Sequence, residues 1–153
     1  MNINKVIATL ALATPFLLAI NAHAATACAL NVEVNEQMAY SVKNIDVPKT
    51  CKSFAINLKV NGTMAKAIMG HNIVISKEAD KDAVVADGGK AGLSNNYLKA
   101  KDARVVAGSS VIGGGEKTNI KFNVKKLNAK EKYVFFCSFP GHSGIMKGVV
   151  NLV

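Results

Sequence analysis

SFAINLKV, residues 53–60, alternates without a break: Phe54, Ile56, Leu58 and Val60 fall on one side of an extended chain, and Ser53, Ala55, Asn57 and Lys59 on the other. Successive side chains of a strand point to opposite faces, so this strict period of two with one apolar face predicts a half-buried β-strand. NIKFNV, residues 119–124, repeats the pattern with Ile120, Phe122 and Val124. Looser versions follow in LNVEV, HNIVIS, KYVFFCS and MKGVVNLV, separated by glycine and by lysine-asparagine clusters. Several short strands at such spacing predict an all-β fold, an antiparallel sandwich or barrel with Greek-key connections. Residues 78–105 break the pattern and are expected to leave the sheets as an excursion, with Asp80 capping one short helix through Ala86 that stops at Gly88-Gly89. Leu93, Tyr97 and Leu98 would pack that excursion back onto the sheets, and residues 108–119, GSSVIGGGEKTN, read as a glycine-rich turn.

The N-terminus belongs to neither pattern. Its apolar run from Val6 to Ile20 is shorter than the ~20 residues of a spanning helix, follows Lys5, and ends in small residues at Ala22-His23-Ala24. This predicts a secretory signal peptide over residues 1–24 and a single mature domain over residues 25–153, exported to the periplasm and not inserted in the membrane. Without Lys5 the chain has 18 basic and 10 acidic side chains, a net charge of +8. Such a charge favours solubility and acidic partners. The lysines are spread along the sequence, tryptophan is absent, and aromatic and basic residues do not interleave, so a nucleic-acid platform is not expected.

Three cysteines remain in the mature segment. Cys28 and Cys51 have no histidine or acid within three residues, and a disulfide between them is the plain expectation for an exported chain. Cys137 differs. It opens CSFPGHSGIM, residues 137–146, which also holds His142 and Met146, and the only other mature histidine is His71 in IMGHNIVIS. One free thiol, two imidazoles and a thioether make a set that copper prefers, since thiolate and thioether favour Cu(I) and imidazole suits Cu(II). Structural zinc is less comfortable with a single Cys and two His. Other readings stay open on these residues alone: Cys137 as a nucleophile with His142 as base, copper storage or delivery, or lipidation of Cys28 within ATAC.

MGHN at residues 69–72, the C-x4-H-x3-M loop and the Cys28, Cys51 pair together resemble the type 1 blue copper proteins, the cupredoxins, and among them the azurins. Azurins place four residues between loop Cys and His, where plastocyanin, amicyanin and pseudoazurin have two. The resemblance implies a cupredoxin-like sandwich with one type 1 copper per chain, held by His71, Cys137 and His142, with Met146 long and axial and the Gly70 carbonyl oxygen opposite. It implies electron transfer, not catalysis. Asn72 and Phe139 would support the site, each donating a backbone N–H to the Cys137 sulfur, with the Asn72 side chain bracing the loop. Met38, Met64 and Met69 would join Pro140, Gly141 and Ile145 in an apolar docking patch around His142. The expected partners are transient redox proteins, a c-type cytochrome, dehydrogenase or reductase with an acidic docking surface, and the carrier itself a monomer. Two departures stand out: Val60 occupies the place of a further histidine found in some azurins, and no tryptophan is present, so Ile73 or a neighbour takes its core position.

Overall fold

The computed structural model describes residues 27–35 and 37–153, so the expected signal peptide lies outside the described residues. Among the described residues nine strands form: β1 (Ala29–Asn35), β2 (Ala39–Tyr40), β3 (Asn44–Val47), β4 (Ser53–Val60), β5 (Val74–Lys77), β6 (Val105–Gly108), β7 (Lys117–Asn123), β8 (Tyr133–Phe136) and β9 (Lys147–Leu152). They make two sheets, β2-β1-β4-β7 and β3-β9-β8-β5-β6. The alternation in β4 is realised: Phe54, Ile56, Leu58 and Val60 are buried and face a core shared with Ile45, Val47, Ile75, Phe135 and Val150 of the other sheet. β7 pairs with β4 so that Phe54 lies opposite Phe122 and Ile56 opposite Ile120.

β8 shows why some strands were hard to read. All four of its residues are buried, because Tyr133 and Phe135 point into the main core. Val134 and Phe136 join Val74 and Val84 in a second cluster on the other face. A strand covered on both sides loses its period of two.

The sandwich is not wholly antiparallel, contrary to the sequence expectation. β1 runs parallel to β4, and β3 parallel to β9. The chain changes sheets between β2 and β3 and again before β4, so β4 reaches β1 by a crossover instead of a hairpin, which permits parallel pairing.

The excursion also departs from expectation in detail. A 3-10 turn, Glu78–Asp80, leads into helix α2 (Lys81–Ala91), and the Asp80 side chain makes no capping bond. α2 passes through Gly88-Gly89 and stops at Gly92, whose φ of 73° is the left-handed backbone that glycine adopts freely. Gly88 serves packing instead: a Cβ there would strike the Tyr97 carbonyl oxygen. Leu93 and Tyr97 then pack on the main core and Leu98 on the second cluster. A separate helical turn, α1 (Lys66–Met69), was not foreseen.

Arg104 closes the excursion, its Nη2 lying 2.7 Å from Asp87 Oδ2 and 2.6 Å from Asp102 Oδ2. Hydrogen bonding to Arg104 holds the Asp102 carboxyl down at about 2 and keeps that of Asp87 below its usual range. Depressed carboxyls stabilise the fold above their unfolded value of about 4, and that contribution is lost as pH falls toward about 2. Asp102→Asn should therefore unfold at lower denaturant than the parent at pH 6, with the gap closing between pH 4 and pH 2. A gap constant with pH would contradict the network's role.

Cys28 and Cys51 are bonded, and Cys137 is free and buried. The bridge closes a loop with a sequence separation of 23, which the chain-entropy argument values at about 3 kcal/mol.

Candidate metal centre

Two donor-bearing segments meet at one end of the sandwich. The first leaves α1 through Gly70, which is buried so tightly that a Cβ would meet the Lys66 carbonyl and the Val111 side chain. His71 follows, and its backbone is fixed by a two-bond bridge: His71 N–H donates to the Ile112 carbonyl, and Ile112 N–H to the His71 carbonyl, both at 2.9 Å. Next along, the Asn72 carbonyl accepts from the Tyr40 hydroxyl at 2.5 Å, and Ile73 N–H donates to Ser109 Oγ at 3.1 Å. The glycine-rich stretch is thus more than a turn. Its Ser109, Val111 and Ile112 are buried and hold the His71 segment in place.

The second segment is the loop after β8. Its neck is closed by Cys137 N–H donating to the Met146 carbonyl at 3.0 Å. Inside it, His142 N–H reaches the Phe139 carbonyl at 3.0 Å, and Met146 N–H the His142 carbonyl at 2.8 Å. Gly141, at φ 81°, makes the reversal between them.

Asn72 clamps the two segments together. Its Oδ1 accepts from Ser138 N–H at 2.9 Å, while its Nδ2 donates to Ser138 Oγ at 2.8 Å and to the Asn96 carbonyl at 3.0 Å. Asn96 comes from the excursion and also accepts from Val111 N–H through Oδ1 at 2.9 Å. Tyr97 stacks edge-on against Phe139 at 5.2 Å, and Phe139 lies 4.7 Å from the His142 ring.

Within this frame the donor atoms of His71, Cys137 and His142 all lie within 4.8 Å of one another. Cys137 Sγ is 3.7 Å from His142 Nδ1, and the two imidazole rings are 4.9 Å apart. His71 Nδ1 is the one buried side-chain nitrogen or oxygen among the described residues with no hydrogen-bond partner. A buried polar atom left unpaired costs on the order of 1–3 kcal/mol, a cost that coordination would remove. Met146 is buried beside them, at 1% exposure. A thiol and two imidazoles converging in a buried site, with a buried thioether in the same loop, fit copper.

Burial sets the protonation of the set. It pushes the Cys137 thiol up to about 11, opposed by backbone N–H donation from Asn72 and Phe139 to the sulfur. Burial, followed by the neighbouring His142, pulls His71 down to about 4, and burial also lowers His142. At neutral pH both imidazoles are free of charge and ready to donate, and only the thiol carries a proton that a metal must displace. Copper uptake at pH 7 should therefore release close to one proton per ion, read with an indicator dye in weak buffer. Affinity should fall about tenfold for each unit of pH below 7, down to the range where His71 itself gains a proton. Release of two or more protons would contradict neutral imidazoles.

Around this end Pro140 and Gly141 are exposed, Ile145 is 56% and Met64 41% exposed, and Met38 and Met69 are half-buried. Ile68, 68% exposed on α1, stands among them and was missed in the sequence because α1 itself was not legible. Ser138, Asn96, Ser109 and Tyr40 were missed as well. Ile73, in the expected tryptophan position, is fully buried, and Val60 lies beside Met69 and His71.

Fold and site together define a type 1 copper protein: a β-sandwich with one mononuclear centre at its end. Residues 26–153 match the model of the copper-binding proteins of the plastocyanin/azurin family. The chain is 56% identical over 126 residues to the azurin of Alcaligenes faecalis, covering 82% of this chain and 98% of that one. It is 50% identical over 125 residues to the azurin of Pseudomonas putida, with 82% and 98% covered. The solved structure of the azurin Az-iso2 from the obligate methylotroph Methylomonas sp. strain J superposes with a TM-score of 0.80 at 43% identity, covering 82% of this chain and 98% of that one. The chain belongs to the plastocyanin/azurin family of blue copper electron-transfer proteins, and its centre fits one type 1 copper.

Proposed function

We propose that residues 25–153 are a periplasmic electron carrier, exported by the signal peptide of residues 1–24, in which His71, Cys137 and His142 would hold the copper. Met146 and the Gly70 carbonyl oxygen would be its weaker donors. What supports the reading is the convergence of the three donor side chains around an otherwise unpaired His71 Nδ1. Copper so held supplies a one-electron centre that passes between Cu(II) and Cu(I).

The chain's part is to keep the donors still. The His71–Ile112 bridge, the Cys137–Met146 neck and the Asn72 clamp fix the two donor-bearing segments. A site that need not rearrange suits both oxidation states. Backbone N–H groups of Asn72 and Phe139, donated to the Cys137 sulfur, draw charge from it and favour the reduced form. Burial of every donor leaves no open position for a substrate, which favours a carrier over an enzyme.

His142 is the electron's exit. At 5% it is the most exposed of the four donor side chains, against 1% or less for the others. It sits among Pro140, Gly141 and Ile145, with Met38, Met64 and Met69 supplying adaptable apolar surface nearby. A c-type cytochrome, dehydrogenase or reductase would dock there briefly over less than about 1,200 Å², with the carrier acting as a monomer. Lys66 is the one lysine, arginine or carboxylate in residues 62–73, 111–115 and 137–146. The net +8 therefore raises the encounter rate with an acidic partner from a distance without orienting it. Charges beyond the Debye length, about 10 Å at 0.1 M salt, are largely screened.

One equivalent of Cu(II) added to the metal-free protein should give a single intense blue species that a reductant bleaches and an oxidant restores. A colourless complex would overturn the reading. The reduction rate by an acidic redox protein should fall with salt, most steeply below about 0.1 M.

A further inference from the structure

The excess charge of this protein is not where the electron leaves. β4 runs from Ser53 to Val60, and Val60 lies against His71 at the copper end, so Ser53 marks the opposite pole, about 23 Å away at ~3.3 Å per residue. At that pole Lys49 and Lys52 flank Cys51 and share a surface depression with Lys125. Val124 N–H bonds the Lys52 carbonyl, bringing the start of the β7–β8 connection, residues 124–132, to the same place. That connection, VKKLNAKEK, supplies Lys125, Lys126, Lys130 and Lys132.

All six of these lysines are exposed, and none is ion-paired among the described residues. Lys126 Nζ is bonded only to the Val106 carbonyl. Of the nearby acids, Glu131 pairs with Lys77 at 2.7 Å, Asp46 accepts from the neutral Asn151 amide at 2.8 Å, and the exposed Glu78, whose N–H bonds the Lys132 carbonyl, has no cationic partner among the described residues, so the six lysines outnumber the carboxylates around them. Lys59, Lys77, Lys81, Lys90 and Arg104 each have a carboxylate partner, and the other lysines without one among the described residues, Lys43, Lys66, Lys99, Lys101, Lys117, Lys121 and Lys147, come from several separate segments. Lysines kept only for solubility would not need to gather at one end.

We infer that this pole is a docking surface for an anionic phospholipid bilayer, and that it holds the carrier with its copper end turned toward solution. The composition selects that occupant. The pole offers lysine and no arginine among the described residues, and no exposed aromatic side chain, with Val153 and Val149 its exposed large apolar side chains. Protein interfaces deplete lysine and rely on aromatic and arginine anchors, whereas clustered lysines, as mobile point charges, match the diffuse charge of lipid headgroups. Because the poles lie at opposite ends of the sandwich, the apolar patch around His142 stays free while the protein is bound. Electron exchange and surface attachment are then compatible.

The test is sedimentation of the purified protein with vesicles of phosphatidylcholine and phosphatidylglycerol, or of phosphatidylcholine alone, at 20 mM and 150 mM salt. Binding is expected to the anionic vesicles only and to weaken at the higher salt. Each pole lysine removed should weaken it by about fivefold, so Lys49→Gln, Lys52→Gln, Lys125→Gln and Lys130→Gln combined should abolish measurable binding. A variant of equal charge, Lys43→Gln, Lys99→Gln, Lys101→Gln and Lys117→Gln, should retain most of it. Equal loss in the two variants, binding to neutral vesicles, or capture by polyglutamate with none by anionic vesicles would each overturn the proposal. Neutral hydroquinone should reduce vesicle-bound and free copper protein at rates within twofold, and a tenfold slowing on the vesicle would show the copper end against the lipid. The metal-free protein should sediment in the same way, so the vesicle result and the colour result fail independently.

Discussion

Serine in place of Cys137 removes the blue colour and most of the copper affinity while the sandwich stays folded. The colour requires charge transfer from a thiolate, and a serine hydroxyl does not ionise in this setting. Burial already pushes the thiol up to about 11, and a hydroxyl starts far higher. Two imidazoles and a thioether remain, a poorer set for holding both oxidation states. The fold tolerates the change because serine fills nearly the same space and can accept the N–H groups of Asn72 and Phe139. A buried hydroxyl there costs about 1–2 kcal/mol, against a domain stability of about 5–15. Visible absorption after addition of Cu(II), together with a thermal melt of the metal-free form, checks both halves. A blue Cys137→Ser protein would remove the thiol from the centre, and an unfolded one would give Cys137 a structural weight that its surroundings do not suggest.

Asn72→Ala is expected to cost about 3 kcal/mol and to broaden the site, a double effect that separates it from an ordinary core deletion. The Asn72 amide is fully buried and makes three hydrogen bonds, to Ser138 N–H, Ser138 Oγ and the Asn96 carbonyl. Truncation leaves Ser138 N–H without its acceptor, and an unpaired buried group costs about 1–3 kcal/mol by itself. Cys137 precedes Ser138 directly, so the loosened loop also changes the sulfur's position. The denaturation midpoint should fall in both metal-free and copper-loaded protein, and the width of the visible band should increase in the latter. A lower midpoint with an unchanged spectrum would make Asn72 a stability residue alone.

How much of this was legible depended on whether a signal was local. β4 and β7 announced themselves because one face is core and the other solvent. β8 did not, since α2 and the excursion cover its second face with Val84 and Leu98. Strand direction was not legible at all, because a period of two is the same beside a parallel or an antiparallel neighbour. Gly88 and Gly92 look alike in sequence, yet one admits a backbone and the other turns one. The donor residues stood out for their rarity, two histidines and one unpaired thiol, while their arrangement came from the family resemblance. The resemblance implied that the Asn72 side chain braces the loop, but its partners could not be read, for a plainer reason. Asn72 and Ser138 lie 66 residues apart, and nothing in either neighbourhood marks an asparagine that bonds across the molecule.

Cys137 is fully buried, and its thiol is held in the protonated, unreactive form. In an oxidising compartment an odd cysteine is a hazard, since a thiolate attacks an existing disulfide and rearranges it. Here attack on Cys28–Cys51 is blocked twice, by lack of access and by lack of thiolate. The folded chain can wait for its metal without scrambling its crosslink, so folding and loading need not be simultaneous.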